Sequence, residues 1–339
     1  MMSLLLGLVL TAMGQAPLDK EITFTGAGGV LLKGALSMPT HSASKLVPGV
    51  LLLPGSGPTD RDDNQPPTLI TNLLKQISQG LNEKGIATLR FDKRAAHPYL
   101  TQLMKMNPKD FPEYFKWENF VDDATAAMKF LASQPGVDPK RIAIIGHSEG
   151  AEIALQIGSN LAKSASVPAA LVTLGGAGRP MGPILREQIG RQLDRQLVPA
   201  DLRKKYLDYT DRATEQVSKD GTFPPDPPTG LGVLFNSTTT KLMQAYCRID
   251  PTDLAKNYPG PVLVINGGND TQISAERDAP KLKAALESRT HGTVELLIVP
   301  NASHCLKATT EATSDVFEGP IVPLAMAKIQ QFLVKQLQP

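Results

Sequence analysis

The chain has 339 residues, of which 41% are hydrophobic and 20% charged, with 35 basic side chains against 33 acidic ones. This composition is typical of a globular protein with a full core, either one large domain with an insertion or two domains. The formal net charge of +2 is too small to indicate a nucleic acid or an anionic membrane as a partner. Two isolated cysteines, Cys247 and Cys305, are more often free than paired in a chain of this length, and both possibilities stay open.

The N-terminus predicts an export signal. Residues 3–13 are apolar but too few to span a bilayer, and the small-x-small sequence Ala12-Met13-Gly14 follows. We therefore expect residues 1–14 to be a signal peptide, cut before Gln15, although no basic residue precedes the apolar stretch. The mature protein would be exported, periplasmic or extracellular, without stable membrane insertion. A retained N-terminal anchor and an apolar start that is not a signal are the alternatives.

Strands and helices alternate along the remaining chain. Strands are predicted at residues 21–25, 30–38, 50–53, 86–91, 141–145, 169–174, 261–265 and 294–299. Helices are predicted at residues 68–81, 118–133, 151–161, 276–287 and 322–337, and residues 97–116 are expected to be irregular. The first two strands favour an antiparallel hairpin at a sheet edge. The later alternation indicates an α/β fold with a mostly parallel, doubly wound sheet covered by helices on both faces.

Residues 179–258 interrupt this alternation. They are charged, with helices predicted at residues 184–197, 200–217 and around 237–246, and with a proline-rich joint at residues 223–228. We predict a helical cap inserted between a first core part, residues 15–178, and a second, residues 259–339. The insertion leaves and re-enters at the carboxyl ends of strands, where α/β sheets bind ligands, so a role in substrate selection is favoured. A structural subdomain without substrate contact is the alternative.

The most informative stretch is GHSEG at residues 146–150, which fits G-x-S-x-G. An apolar strand precedes it and a predicted helix follows, and strand, tight turn and helix are the context of a nucleophile elbow. Ser148 is therefore the candidate nucleophile, on a strained turn that pushes its hydroxyl out of the sheet. The side chain of His147 is expected to turn away from that hydroxyl.

Acyl transfer also needs an imidazole that takes the hydroxyl proton and a carboxylate that orients the imidazole. Asp270 and His304 each lie just past the end of a predicted strand, as Ser148 does. Parallel strands place these three loops at one sheet edge, so we predict a triad of Ser148, Asp270 and His304. No C-x-x-C, H-E-x-x-H or other metal-ligand spacing occurs among the histidines and cysteines, so neither a metal nor a cofactor is expected.

A developing oxyanion requires two N–H donors. The amide of Glu149 is one candidate because it follows the nucleophile at the start of a helix. The amide of Ser56, in the glycine-flanked loop after the third predicted strand, is the other, with Gly57 as second choice. Arg61 and Arg94 are expected to brace this loop through ion pairs, and binding of a substrate carboxylate is the alternative.

Six segments carry a resemblance that covers nearly the whole mature chain: LLLPGSGPTDRDDN, LRFDKR, IIGHSEG, GGAGRPMGPILREQ, PVLVINGGNDTQI and VPNASH. In these segments the chain resembles the α/β-hydrolase superfamily, and more closely the bacterial esterase-like hydrolases on the dienelactone-hydrolase and prolyl-oligopeptidase-like side. The resemblance implies a cofactor-free serine hydrolase with its triad on Ser148, Asp270 and His304.

The expected activity is hydrolysis of a small-molecule carboxylic ester or thioester. A serine peptidase for short peptides would use the same triad, and a non-catalytic binding protein on this fold is a third hypothesis. The sequence indicates neither the acyl and alcohol groups nor the oligomeric state.

Overall fold

The computed structural model describes residues 19–40, 45–310 and 316–338. The predicted signal peptide, residues 1–14, lies outside this part of the chain and stays a prediction. Within the described residues, no helix is both long and apolar enough to cross a membrane. Cys247 and Cys305 are both free thiols.

The described residues form eight strands: β1 (Lys20–Thr25), β2 (Leu31–Ser37), β3 (Val47–Leu53), β4 (Ala87–Phe91), β5 (Val137–His147), β6 (Ala170–Leu174), β7 (Val262–Gly267) and β8 (Val294–Val299). All belong to one sheet, in the spatial order β1-β2-β4-β3-β5-β6-β7-β8. β2 pairs antiparallel with β1 and with β4, and every other neighbouring pair is parallel. The predicted edge hairpin and mostly parallel sheet are confirmed.

The helices of the same part of the chain are α1 (Leu73–Asn82), α2 (Leu100–Leu103), α3 (Phe111–Tyr114), α4 (Trp117–Ala132), α5 (Glu149–Asn160), α6 (Met181–Arg195), α7 (Ala200–Asp220), α8 (Thr240–Arg248), α9 (Pro251–Asn257), α10 (Ala279–Glu287) and α11 (Pro323–Leu337), besides short 3-10 turns. α2 and α3 fall in the segment expected to be irregular. Each spans a single turn, too short for a helical pattern to show in the sequence.

The sheet separates two hydrophobic cores. Along β3, Leu51 and Leu53 face one core while Val50 and Leu52 face the other, because successive side chains of a strand point to opposite faces. The first core lies under α4, α5 and α10, and the second under α1 and α11. Burial on both faces accounts for the continuous apolar strands of the sequence and confirms the doubly wound α/β fold.

Helices α6 to α9 form the insertion between β6 and β7. The predicted helices of this region correspond to α6, α7 and α8, whereas α9 was not predicted. Its signals are local: Pro251 stands at its first position, and the Asp250 side chain caps it by accepting from the Thr252 N–H at 2.9 Å. Leu185 and Leu207 of the insertion join the first core. The inserted helices reach it through other helices, because α8 packs against α4 and α9 packs against α5 and α10. The exact domain boundaries stay a prediction.

Candidate active site

Ser148 occupies a one-residue turn between β5 and α5. Its φ of 51° and ψ of −120° lie outside the regions that an ordinary side chain favours. Such backbone strain costs on the order of 1–3 kcal/mol and persists only where surrounding structure enforces it. The Ser148 N–H donates to the carbonyl of Leu174 at 2.8 Å, which ties the turn to the end of β6.

Glycines on both sides of Ser148 allow this turn to pack closely. A Cβ on Gly150 would lie 2.4 Å from the carbonyl oxygen of Leu53, and one on Gly146 would lie 2.0 Å from that of Gly150. Neither position has room for any side chain. The two glycines of G-x-S-x-G are therefore a steric requirement of the turn.

Asp270 and His304 come together from the ends of β7 and β8. Nδ1 of His304 lies 2.8 Å from Oδ2 of Asp270. The other carboxylate oxygen, Oδ1, accepts the backbone N–H groups of Gln272 and Ile273, each at 2.8 Å. The Asp270 side chain is fully buried and that of His304 is 9% exposed, so only the imidazole can meet a ligand.

A cavity of about 240 Å³ opens at this edge of the sheet. Its wall consists of Gly55, Ser56, Thr59, Asp63, Gln65, Leu69, Thr71, His147, Ser148, Gln188, Gln272, His304, Cys305 and Phe317. The structure thus places three of the five predicted site residues, Ser56, Ser148 and His304, in one wall. Asp270 lies behind His304, and Glu149 follows Ser148 as the first residue of α5.

The insertion contributes Gln188 of α6 to the cavity wall. Nε2 of Gln188 donates to the carbonyl of Gln272 at 3.1 Å, which links the inserted helix to the loop that carries Asp270. The insertion therefore reaches the cavity.

His147 and Asp63 form a second pair that sequence reasoning missed. The side chain of His147 was expected only to turn away from the Ser148 hydroxyl, and its partners were not predicted. Its ring packs against that of His304, with centroids 4.6 Å apart, and Nε2 lies 3.2 Å from the His304 carbonyl oxygen. Nδ1 of His147 lies 2.6 Å from Oδ2 of Asp63. A sequence signal for this pair exists in the polar run after Gly57, which contains Asp63. Asp63 has a φ of 71°, and aspartate is one of the residue types that tolerate left-handed backbone.

Burial and mutual attraction act in opposite directions on this pair. Burial alone would lower the pKa of His147, but the Asp63 carboxylate outweighs it and raises that pKa to about 9. Burial likewise opposes ionisation of Asp63, but His147 and the Gly55 N–H hold the pKa of the carboxyl below its ordinary value. The pair is therefore an imidazolium and a carboxylate at neutral pH.

Among the described residues, one cluster has potential metal-ligand spacing. Asp63, His147 and Cys305 are buried, and one ligand atom of each lies within 4.8 Å of the others. The donor set suits zinc, but ligand atoms about 2.1 Å from a tetrahedral ion stand about 3.4 Å apart. The 2.6 Å between Nδ1 of His147 and Oδ2 of Asp63 is instead the spacing of a direct ion pair.

The arginines near the predicted oxyanion loop are held in ion pairs. Arg61 contacts Asp92 at 2.8 Å and Glu21 at 2.7 Å. Nε and Nη2 of Arg94 each lie 2.7 Å from an oxygen of the buried Asp123. The contacts of Arg61 agree with bracing of this loop, whereas the partners of Arg94 (Asp123, Tyr114 and Ala27) lie outside the loop, so bracing by Arg94 stays a prediction.

Residues 50–309 match the model of the alpha/beta hydrolase family. The chain is also similar to the esterase EstD of Thermotoga maritima, with 27% identity over 288 residues. This alignment covers 85% of the chain and 60% of EstD, so the chain spans about three fifths of that relative's length.

Solved structures share the fold at lower identity. Est1E from Butyrivibrio proteoclasticus matches with a TM-score of 0.57 and 15% identity, over 94% of this chain and 99% of Est1E. An esterase of Pyrococcus furiosus matches with a TM-score of 0.58 and 18% identity, over 95% of this chain and 92% of the esterase. At these identities the likeness establishes the fold alone.

Proposed function

Because the chain belongs to the alpha/beta hydrolase family, we propose that it is a serine hydrolase that cleaves carboxylic esters or thioesters through an acyl-enzyme intermediate. One observation carries the proposal: Ser148, on a strained turn, shares a cavity wall with His304, whose Nδ1 is paired with Asp270. The similarity to EstD, which is named an esterase, supports esters as the substrate class.

The contact with Asp270 gives the two ring nitrogens of His304 different roles in the proposed reaction. Nδ1 faces Oδ2 of Asp270, so its N–H donates there and the lone pair of the neutral imidazole lies on Nε2. Nε2 takes the Ser148 proton as Oγ attacks the ester carbonyl, and it returns that proton to the leaving alcohol or thiol. In the second half of the reaction water attacks the acyl-enzyme, Nε2 of His304 takes a proton from that water and returns a proton to Ser148 Oγ, and the acid is released. Two backbone donors hold Asp270 fixed, so the imidazole keeps one orientation throughout.

The tetrahedral intermediate places a negative charge on the former carbonyl oxygen. We assign the backbone N–H groups of Ser56 and Glu149 to that oxyanion. Glu149 is the first residue of α5, so its amide lies at the positive end of the helix dipole. The Gly55 N–H already donates to Oδ1 of Asp63 at 2.7 Å, which favours Ser56 as the donor from the neighbouring loop.

The cavity suggests a substrate of modest size. Its volume of about 240 Å³ is below the range of about 300–1,000 Å³ that is usual for drug-sized ligands. Leu69 and Phe317 offer apolar surface, whereas Thr59, Gln65 and Gln188 offer polar groups. Esters with small or medium acyl groups fit this combination.

The test uses the chain from Gln15 onward, without the predicted signal peptide, together with a fluorophosphonate probe and a series of p-nitrophenyl esters. We expect labelling and turnover in the wild type and the loss of both in Ser148→Ala. His304→Ala should lose turnover by about 10³-fold or more. Cleavage of aminoacyl amides with slow ester turnover would replace the esterase by a serine peptidase. A folded wild type that neither binds the probe nor cleaves esters would contradict catalysis altogether.

A further inference from the structure

A buried lysine lies beneath the two amides assigned to the oxyanion. The side chain of Lys93, in the loop after β4, is 5% exposed. Its Nζ donates to the carbonyl oxygen of Gly55 at 3.0 Å, forms an ion pair with the Glu149 carboxylate, and lies 4.9 Å above the Phe120 ring. Lysine is rarely buried unless its charge is compensated. We infer that Lys93 is a positioning residue for both oxyanion donors, an inference that rests on the proposed function.

The contact with Gly55 acts on the Ser56 donor through one peptide unit. The Gly55 carbonyl and the Ser56 N–H belong to the same planar amide and point in opposite directions. By holding the oxygen, Lys93 fixes the direction of the Ser56 N–H. A cationic donor on the oxygen also polarises the amide and makes its N–H a stronger donor.

Glycine makes this support necessary. The backbone around Gly55 has wide rotational freedom, so the peptide after it needs an external partner to keep one orientation. On the other side, the Gly55 N–H donates to Oδ1 of Asp63 at 2.7 Å. Both peptide units that meet at Gly55 are therefore held by buried charged side chains.

The second donor is connected to the same ammonium group. The Glu149 side chain is 3% exposed and points into the protein, where it meets Lys93. Burial raises the pKa of the Glu149 carboxyl, and Lys93 opposes that rise. One ammonium group thus bridges the segment that carries the Ser56 amide and the residue that supplies the other amide.

Helix α8 of the insertion also contacts the Glu149 side of this ion pair. The Tyr246 hydroxyl, from α8, contacts the Glu149 carboxylate, and the Tyr246 ring packs edge-on against Trp117 with centroids 5.3 Å apart. Docking of α8 therefore adds a third support to the geometry of the donors.

The experiment compares Lys93→Met, which keeps the length of the side chain, with Glu149→Gln and with the double variant. Lys328→Met is the matched control, because Lys328 pairs with Glu295 near the sheet edge, outside the cavity wall. Each protein is assayed for kcat, KM, thermal unfolding and affinity for a trifluoromethyl ketone, whose adduct with a serine presents an oxyanion.

We expect Lys93→Met to lower kcat by about 10- to 100-fold, less than the loss of a whole donor. KM should change by less than about twofold, because the ground-state carbonyl depends little on these donors. The affinity for the ketone should fall by the same factor as kcat. The double variant buries no unpaired charge, so it should unfold at the wild-type temperature and still have a lowered kcat. Glu149→Gln alone keeps Lys93 and should have a higher kcat than the double variant.

Wild-type kcat in the folded double variant would overturn the inference and leave the proposed function intact. So would a raised KM with unchanged kcat, which would place Lys93 in ground-state binding. A wild-type protein without ester turnover and without fluorophosphonate labelling would overturn the proposed function, and the inference with it.

Discussion

Replacement of Gly175 by alanine tests how closely the sheet edge holds the His304–Asp270 pair. Gly175 directly follows β6, its φ is 56°, and its N–H donates to the Ile265 carbonyl at 2.8 Å. A Cβ at this position would lie 2.9 Å from both Cε1 and Nδ1 of His304 and 3.3 Å from Oδ2 of Asp270. The alanine therefore displaces the pair, because its own backbone is anchored to β7.

The expected loss of activity follows from the steric overlap between the new Cβ and the His304 ring. Carbon atoms rest about 3.5–4.0 Å from their neighbours, so the imidazole must move by roughly 0.6–1 Å. A displacement of about 1 Å at a reacting group can reduce the rate by about 10²-fold. We expect kcat for a p-nitrophenyl ester to fall by that factor in Gly175→Ala. The left-handed backbone adds a loss of about 1–2 kcal/mol in the free energy of unfolding.

Gly28→Ala separates these two effects. Gly28 lies between β1 and β2 with a φ of 64°, and no atom would stand within 4 Å of its Cβ. It should lose a similar free energy of unfolding, measured by urea denaturation, and keep wild-type kcat. Equal kcat values for Gly175→Ala and the wild type would refute the steric reasoning, as would equal losses of activity in both variants.

Two further predictions concern buried charge. Arg94→Met leaves the buried Asp123 carboxylate without its bidentate partner, and it should reduce the free energy of unfolding by about 3–5 kcal/mol. The control, Lys204→Met, breaks an exposed pair with Asp208 and should change the free energy of unfolding by less than about 1 kcal/mol. Equal effects of the two substitutions in urea titrations would contradict this reasoning. Burial, followed by the charges of two nearby carboxylates, raises the pKa of Glu152 to about 8. Because this folded-state pKa lies above the unfolded value of 4.5, the stabilisation from Glu152 is complete below pH 4.5 and is lost as the pH rises to about 8. Glu152→Gln should therefore become more stable than the wild type by on the order of a few kcal/mol between pH 5 and pH 8. A difference in unfolding free energy that does not vary with pH would exclude this titration.

The sequence alone predicts those features that depend on the order of strands and loops along the chain. Ser148, Asp270 and His304 each follow an apolar strand, and parallel strands place such residues at one edge whatever the loops do. The contacts of Lys93 and of His147 could not be predicted in this way. They depend on which side of a loop a side chain leaves and on which distant residue it meets. The same limit applies to the single-turn helices α2 and α3, whose existence is decided by packing rather than by periodicity.

Both free edges of the sheet carry charge. At one edge, β1 exposes Lys20 and Glu21, and Glu21 is bound to Arg61. At the other, Glu295 of β8 is held by Lys328 and by a second lysine of α11. A strand from another molecule that paired with either edge would have to desolvate these ions or displace their partners. The charged side chains of β1 and β8 therefore oppose edge-to-edge pairing of this eight-stranded sheet with another molecule.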